Sequence, residues 1–263
     1  MMRALAILLA MGLMTGSATA ETIQLYAAGS LKLALTQVAQ TYEASTGNKV
    51  EAKYGASGLL KNEISSGAKA DVFASANMEH PQALHDEKKS GPVIRFARNK
   101  LCALVKPGLK VDSKNLLEHL LDPNVKLGTS TPKADPSGDY AFEVFAKAEA
   151  IKAGARAALE NKALQLTGSA NSATPPTGRT VYGWHVAAGR ADIFLTYCTN
   201  ALAAQKENPE QQIVDLPNDL AVGADYGLTV IDGAPAAAQQ FVDFIMSSAG
   251  QKILVIHGFT SGK

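Results

Sequence analysis

Thr22-Ile-Gln-Leu-Tyr-Ala-Ala-Gly-Ser30-Leu-Lys32 is the stretch that decides how this chain folds. Ile23 to Ala28 begins with β-favouring residues and shrinks to alanines, as a short buried strand does. After a turn of small residues, Leu31, Leu35, Val38 and Tyr42 recur at helical spacing, which predicts a helix from about Ser30 to Ser45. Ser30 stands where an N-cap belongs, and its hydroxyl can meet amides that have no partner inside the helix. Free amides, a hydroxyl and the positive end of the helix dipole also make an anion site. A serine that only caps is the plainer reading of the same residues.

Outward from this stretch the pattern repeats. Tyr54-Gly-Ala-Ser57-Gly-Leu-Leu follows a predicted strand over Lys49 to Tyr54 and opens a helix over Ser57 to Ser66. A short strand at Asp71 to Ala74 and a helix at Glu79 to Lys88 complete the cycle. Such alternation predicts mainly parallel sheets covered on both faces. The longer run from Arg95 to Val105 is a candidate for crossing into a second lobe. There the cycle resumes, with a helix over Ser113 to Leu121, a strand over Lys126 to Ser130 and a helix over Asp139 to Ala153. Gly168 to Gly178, rich in Ser, Thr and Pro, reads as loop. Val181, Trp184, His185 and Ala188 fit one helix face, and Asp192 to Tyr197 and Gln212 to Asp215 read as strands. Tyr226 to Ile231 returns the chain to the first lobe, followed by helices over Pro235 to Ser247 and Gly250 to Ile256. In a parallel sheet both serine turns lie at the carboxyl ends of strands, where ligands bind.

The first twenty residues read as an export signal: a basic start, an apolar run over Ala4 to Met14, and Ala18-Thr19-Ala20 as a cleavage site before Glu21. That run is too short to span a bilayer, and a freely exported periplasmic protein is expected. Lys and Arg number 25 against 24 Asp and Glu, and Arg3 leaves with the signal. A balanced chain has no bulk attraction for nucleic acid or anionic membrane, so an anion would have to be bound by local geometry. Two cysteines, Cys102 and Cys198, each lie in an apolar strand-like run. Export allows a disulfide between them, the other reading being two buried thiols.

Ala27-Ala-Gly-Ser-Leu31, Tyr54-Gly-Ala-Ser-Gly58 and Gly67-Ala-Lys-Ala-Asp-Val-Phe-Ala-Ser-Ala76 together resemble the periplasmic molybdate-binding proteins, the receptors of ATP-driven (ABC) molybdate importers. The resemblance continues through Asp135-Pro-Ser-Gly-Asp-Tyr-Ala141, Asp192-Ile-Phe-Leu-Thr-Tyr197 and His257-Gly-Phe-Thr260. It implies an α/β, two-lobe periplasmic-binding-protein fold of the second type. Lobe one would hold 21–98 and 222–263, and lobe two 99–221. A monomer would bind molybdate or tungstate between the lobes, without a cofactor, and deliver it to an importer permease.

By the same resemblance, Ser30 and Ser57 bind the oxyanion through hydroxyl and amide, Ser137 through an amide, and Tyr197 through its hydroxyl. A further amide maps to Arg179. Ser137 and Arg179 depart from the family pattern: the serine adds a possible donor, and the arginine either grips the anion bidentately or points to solvent. Amides and hydroxyls suit a receptor that must also release, since each bond to a charged group contributes about 1.5–3 kcal/mol.

Several other readings compete. Ser66-Gly-Ala-Lys69 matches the S-x-x-K of penicillin-recognising serine enzymes, but no S-D-N or K-T-G follows. Gly55-Ala-Ser57-Gly58 falls one residue short of a nucleophile elbow. Tyr197 and Tyr226 would suit ferric iron in a related receptor, although adjacent tyrosines are lacking, and the five histidines show no metal spacing. A small organic anion is a further alternative, with Trp184 and Tyr182 as a stacking platform or as packing. Lys32 and Lys61, in the first turns of their helices, either raise the local potential or solvate the surface. Asp135 and Asp139 flank the proposed ligand turn. They either cap the next helix or face the anion and repel it, unless they bind the metal centre directly.

Overall fold

The computed structural model describes residues 20–262. The export signal expected over 1–20 lies outside the described residues, apart from Ala20. The chain opens with β1 (Thr22–Ala28), α1 (Lys32–Thr46), β2 (Lys49–Gly55), α2 (Ser57–Ser65), β3 (Val72–Ser75) and α3 (Glu79–Asp86). The long β4 (Ile94–Val105) leads to α4 (Leu116–Leu121), β5 (Leu127–Ser130), α5 (Pro136–Ile151), α6 (Ala155–Lys162) and β6 (Leu164–Thr167). Next come α7 (Val181–Ala187), β7 (Ile193–Tyr197), α8 (Cys198–Glu207), β8 (Gln212–Asp215) and β9 (Gly223–Val230). The last elements are α9 (Ala236–Met246), α10 (Ser248–Ile256) and a two-residue β10 (Thr260–Ser261).

Two lobes form because each sheet has a parallel trio of strands that helices must cover. In the first, β1 pairs in parallel with β2 and β3. In the second, β5 pairs in parallel with β6 and β7. Antiparallel strands join the trios: β9 bridges β3 to the first half of β4, and the second half of β4 pairs with β7 and β8. The change of partner on β4 falls between Lys100, opposite Gly223, and Leu101, opposite Tyr197. One strand therefore belongs to both sheets.

The helices follow from their apolar stripes. Ala34, Leu35, Val38, Ala39 and Tyr42 bury one face of α1, which stops at Gly47 in the left-handed conformation (φ 78°). Ala237, Phe241 and Ile245 do the same on α9, and Phe241 and Phe244 pack their rings on Tyr42.

Four local details differ from the sequence reading. Ser30 does not cap α1; a 3-10 turn over Gly29–Leu31 precedes that helix, and no side-chain cap is made there. The fifth helix begins three residues earlier than expected, because Asp135 caps it by accepting from the Ser137 amide, with Pro136 at its first position. The helices α6 and α8 and the edge strand β6 fall where no element was read. Finally, Cys198 opens a helix rather than continuing a strand, and it is disulfide-bonded to Cys102 of β4 with Cα atoms 4.9 Å apart.

Candidate functional site

A cavity of about 180 Å³ lies between the lobes, at the carboxyl ends of parallel strands from both sheets. That is below the roughly 300–1,000 Å³ of pockets for drug-sized molecules, and it suits a small ion. The first lobe contributes Ala28 at the end of β1 with Gly29 and Ser30 after it, Gly55 at the end of β2 with Ala56 after it, and Ala76 after β3. The second contributes Asp135 before α5, Thr167 at the end of β6 with Gly168 and Ser172 in the loop after it, Val181 and Tyr182 of α7, and Tyr197 at the end of β7. Small residues crowd the first-lobe wall because its strands end in alanine and glycine, so backbone amides reach the surface there.

The hydroxyls of this wall are ordered by their neighbours. Ser30 Oγ lies 3.0 Å from the Tyr226 hydroxyl, and the Asn99 side-chain amide donates to that same phenol oxygen at 3.2 Å. Since Asn99 can only donate through that nitrogen, the Tyr226 proton is free to pass to Ser30, which leaves the Ser30 proton for the cavity. The Tyr197 hydroxyl donates to the Ala76 carbonyl at 3.3 Å, a bond that crosses the cleft. A second crossing bond runs from the Gly58 amide to the Ala134 carbonyl at 2.9 Å. Burial raises the pKa of both Tyr197 and Tyr226 well above the ordinary phenol value, so both remain protonated.

Of the five expected ligand residues, the structure brings Ser30 and Tyr197 to the cavity. Ser57 stands just behind it, 1% exposed, with its Oγ accepting from the Ala76 amide at 3.1 Å while Ala56 forms the wall. Ser137 is fully buried; its amide is held by Asp135 Oδ1 at 3.1 Å, and its Oγ has no partner among the described residues. Arg179 points away. Its guanidinium donates to Glu207 Oε2 at 3.4 Å and Asn208 Oδ1 at 3.0 Å, and its amide donates to the Pro176 carbonyl.

The same cavity contains residues the sequence did not single out: Ala76, Thr167, Gly168, Ser172 and Val181 reach it only through tertiary placement. Tyr182 lines it as well, whereas Trp184 lies under the Arg190 guanidinium at 3.9 Å, in a packing role. Ser66 and Lys69 are exposed at the turn after α2 and do not reach the cavity. Lys32 is exposed, and Lys61 faces Glu87 at 3.8 Å. A wider groove of about 820 Å³, between Ser113, Leu117, Ile151 and Asp219, is an open surface feature of the second lobe.

Asp135 is the one charged side chain among the described residues that lines the cavity. Desolvation pushes its carboxyl up to about 6; the Ser137 amide and Ser130 hydroxyl oppose the rise, and Asp139 adds to it. Asp139 is itself displaced upward, chiefly by burial, while accepting from the Lys133 amide at 2.7 Å. With no cation in the lining, the site offers hydroxyls, backbone amides and one acid.

Comparison with known proteins gives a consistent frame. The family model described as bacterial extracellular solute-binding protein matches residues 23–260. An uncharacterized protein of Pasteurella multocida is 34% identical over 239 residues, covering 90% of this chain and 98% of its own. A molybdate-binding protein of Azotobacter vinelandii is 31% identical over 153 residues, 54% of this chain and 57% of its own. Among solved structures, the periplasmic molybdate-binding protein of Azotobacter vinelandii superposes with a TM-score of 0.71 at 20% identity, over 90% of this chain and 98% of its own. The sulfate-binding protein of Mycobacterium tuberculosis gives 0.73 at 19%, over 92% and 87%. Both share the two-lobe type II periplasmic-binding-protein fold described above.

Proposed function

This chain belongs to the bacterial extracellular solute-binding proteins, and we propose that it is the receptor of an ABC importer for a small tetrahedral oxyanion, with molybdate and tungstate as its first candidates. The observation that carries this reading is the donor-lined cavity of about 180 Å³ closed between the two lobes. Its size fits a four-oxygen anion, and its donors are neutral. The openings after β1 and β2 offer amides with no partner inside their helices. Ser30, oriented by Asn99 and Tyr226, adds a hydroxyl proton, and Tyr197 lines the facing wall with its own proton on the Ala76 carbonyl. Ser57 can donate as well, because its oxygen already accepts from Ala76.

Binding and release follow from the crossing contacts. Tyr197 to Ala76 and Gly58 to Ala134 are bonds that exist only when the lobes meet. An anion that accepts from both walls favours the closed form by its differential contacts, and an importer permease then reads that form. Transport rather than catalysis fits the lining, which holds no histidine, lysine or cysteine to serve as base or nucleophile among the described residues. Ferric iron is a poorer candidate, since a phenolate ligand needs a lowered pKa and burial moves Tyr197 and Tyr226 the other way. The molybdate-binding name of the relatives supports the choice of ligand. Calorimetric titration of the exported form with molybdate, tungstate, sulfate and phosphate tests it, with one-to-one binding of at least one expected; silence from all four would overturn the reading.

A further inference from the structure

Asp135 is out of place in a receptor for a fully deprotonated anion. Its Oδ1 already takes the Ser137 amide, one of the N–H groups that the start of α5 would offer to a ligand oxygen. Its Oδ2 lies towards Gly168, where a Cβ would stand 2.9 Å from it, and that glycine has a φ of +84°. A bare glycine at that position leaves room for the carboxyl at the cavity wall. Ser130 is also bonded to the acid, and Thr167, which lines the same cavity, shares a 2.8 Å bond with Ser130.

The groups that face this carboxyl are all acidic or neutral. Asp139 acts on it from α5, while Tyr182 of α7 and Tyr197 of β7 present buried phenols that feel its charge. From the first lobe, α2 brings the backbone of Gly58 against Ala134, next to it. Lys133, the nearest cation in sequence, acts on Asp139 instead. A second anion beside an ionised carboxylate in such a place is opposed by repulsion that no cation in the lining offsets, and two acids sharing a site keep a proton between them.

We propose that Asp135 binds the oxyanion through one shared proton, held between its carboxyl and a ligand oxygen, so that the site takes up its anion together with a proton. The inference rests on the oxyanion reading above. The proton has two sources. Phosphate and arsenate bring it as a hydroxyl, with Asp135 ionised and accepting. Sulfate, molybdate and tungstate carry none at neutral pH, so for them it is drawn from water onto Asp135, which then donates. Either way the complex holds one proton and no bond other than an O–H is made or broken.

The test is calorimetry of the intact receptor with molybdate, sulfate and phosphate from about pH 6 to about pH 8, in buffers of different ionisation enthalpy. Molybdate and sulfate affinities should fall with rising pH, approaching about tenfold per unit, with proton uptake rising from about half a proton per anion at about pH 6 to close to one at about pH 8. Phosphate, which keeps its own proton, should lose less affinity and take up less. Asp135→Asn preserves the cap, since asparagine caps as well as aspartate, and should flatten the molybdate and sulfate profiles and raise sulfate affinity at least about tenfold at pH 8. Anion binding without proton uptake, or an Asp135→Asn protein that titrates like the wild type, would overturn the shared proton while leaving the oxyanion receptor intact. If none of the three anions binds at any pH, both readings fall. The buffer comparison needs only the wild-type chain, so it decides the matter even if the variant does not fold.

Discussion

Tyr197 shows how much a single side chain carries here. Its ring packs edge-on against Tyr140 and Tyr226, and its one proton goes to the Ala76 carbonyl across the cleft. Tyr197→Phe keeps the packing and deletes the bond that crosses the cleft, so the closed form is less favoured and oxyanion affinity should fall about 2- to 10-fold, the equivalent of about 0.5–1.5 kcal/mol for a typical hydrogen bond. Parallel titrations of the two proteins measure it, and equal affinities would remove Tyr197 from the site. Arg179→Ala should leave anion affinity unchanged, because the guanidinium is occupied by Glu207 and Asn208; a large loss would mean the arginine turns inward on binding. Asp135 also links stability to pH. Its carboxyl titrates near 6 in the fold against 3.8 when unperturbed, so the native chain holds the proton more tightly between those values. Stability from this group is therefore present at low pH and lost as pH rises through that window, by on the order of 2 kcal/mol. Denaturant melts at about pH 4 and pH 7 should show that fall in the wild type and a smaller one in Asp135→Asn, where Asp139 still contributes; an identical fall in both would contradict the assignment. The sequence placed Asp135 at a helix start but left open whether it capped or faced the ligand. It caps the helix through one oxygen and also lines the cavity.

At the level of elements, strand ends and helix starts are what the sequence made legible. The runs Ile23 to Ala28 and Lys49 to Tyr54, each followed by a glycine, a serine and a helical stripe, correspond to β1 and β2 and to the helices after them. Elements without large apolar residues stayed hidden. Among the buried positions of α8 are Ala201 and Ala204, which give no periodic signal, and α6 buries just Ala155 and Leu159. The strand β6 is an edge with Leu164 and Gln165 exposed. Contacts between distant elements were equally illegible. Gly58, read only as part of a serine turn, is the place where α2 meets the second lobe; a methyl there would collide with the Lys133 carbonyl oxygen and come within 2.8 Å of that of Ala134. Gly58→Ala should therefore hold the lobes apart and weaken anion binding more than tenfold, roughly 1.4 kcal/mol or greater, while the circular dichroism of the fold is retained. Wild-type affinity in that variant would show that the contact does not govern closure. The Cys102–Cys198 bridge ties β4 to the start of α8, directly after Tyr197, and closes a loop with a sequence separation of 96. Replacing both cysteines with serine should cost about 2–5 kcal/mol in denaturant melts.

The whole molecule turns these parts into a receptor because β4 belongs to both sheets and β9 returns beside it. Two strands crossing at one place let the lobes meet or part around a cavity whose donors come from both sides. Neither wall alone surrounds an anion: the first lobe supplies the small-residue turns with Ser30, and the second supplies Tyr197 and Asp135. In the proposed reading anion binding is thus a property of the closed pair, and the two-lobe architecture is the means of closing it. The most direct test is calorimetric titration of the exported form at about pH 6 with molybdate, tungstate, sulfate and phosphate, followed by a ferric salt and a small carboxylate. One-to-one binding of a tetrahedral oxyanion, weakened by Tyr197→Phe and untouched by Arg179→Ala, is the predicted result. Binding of iron or the carboxylate with no response to any of the four oxyanions would contradict it.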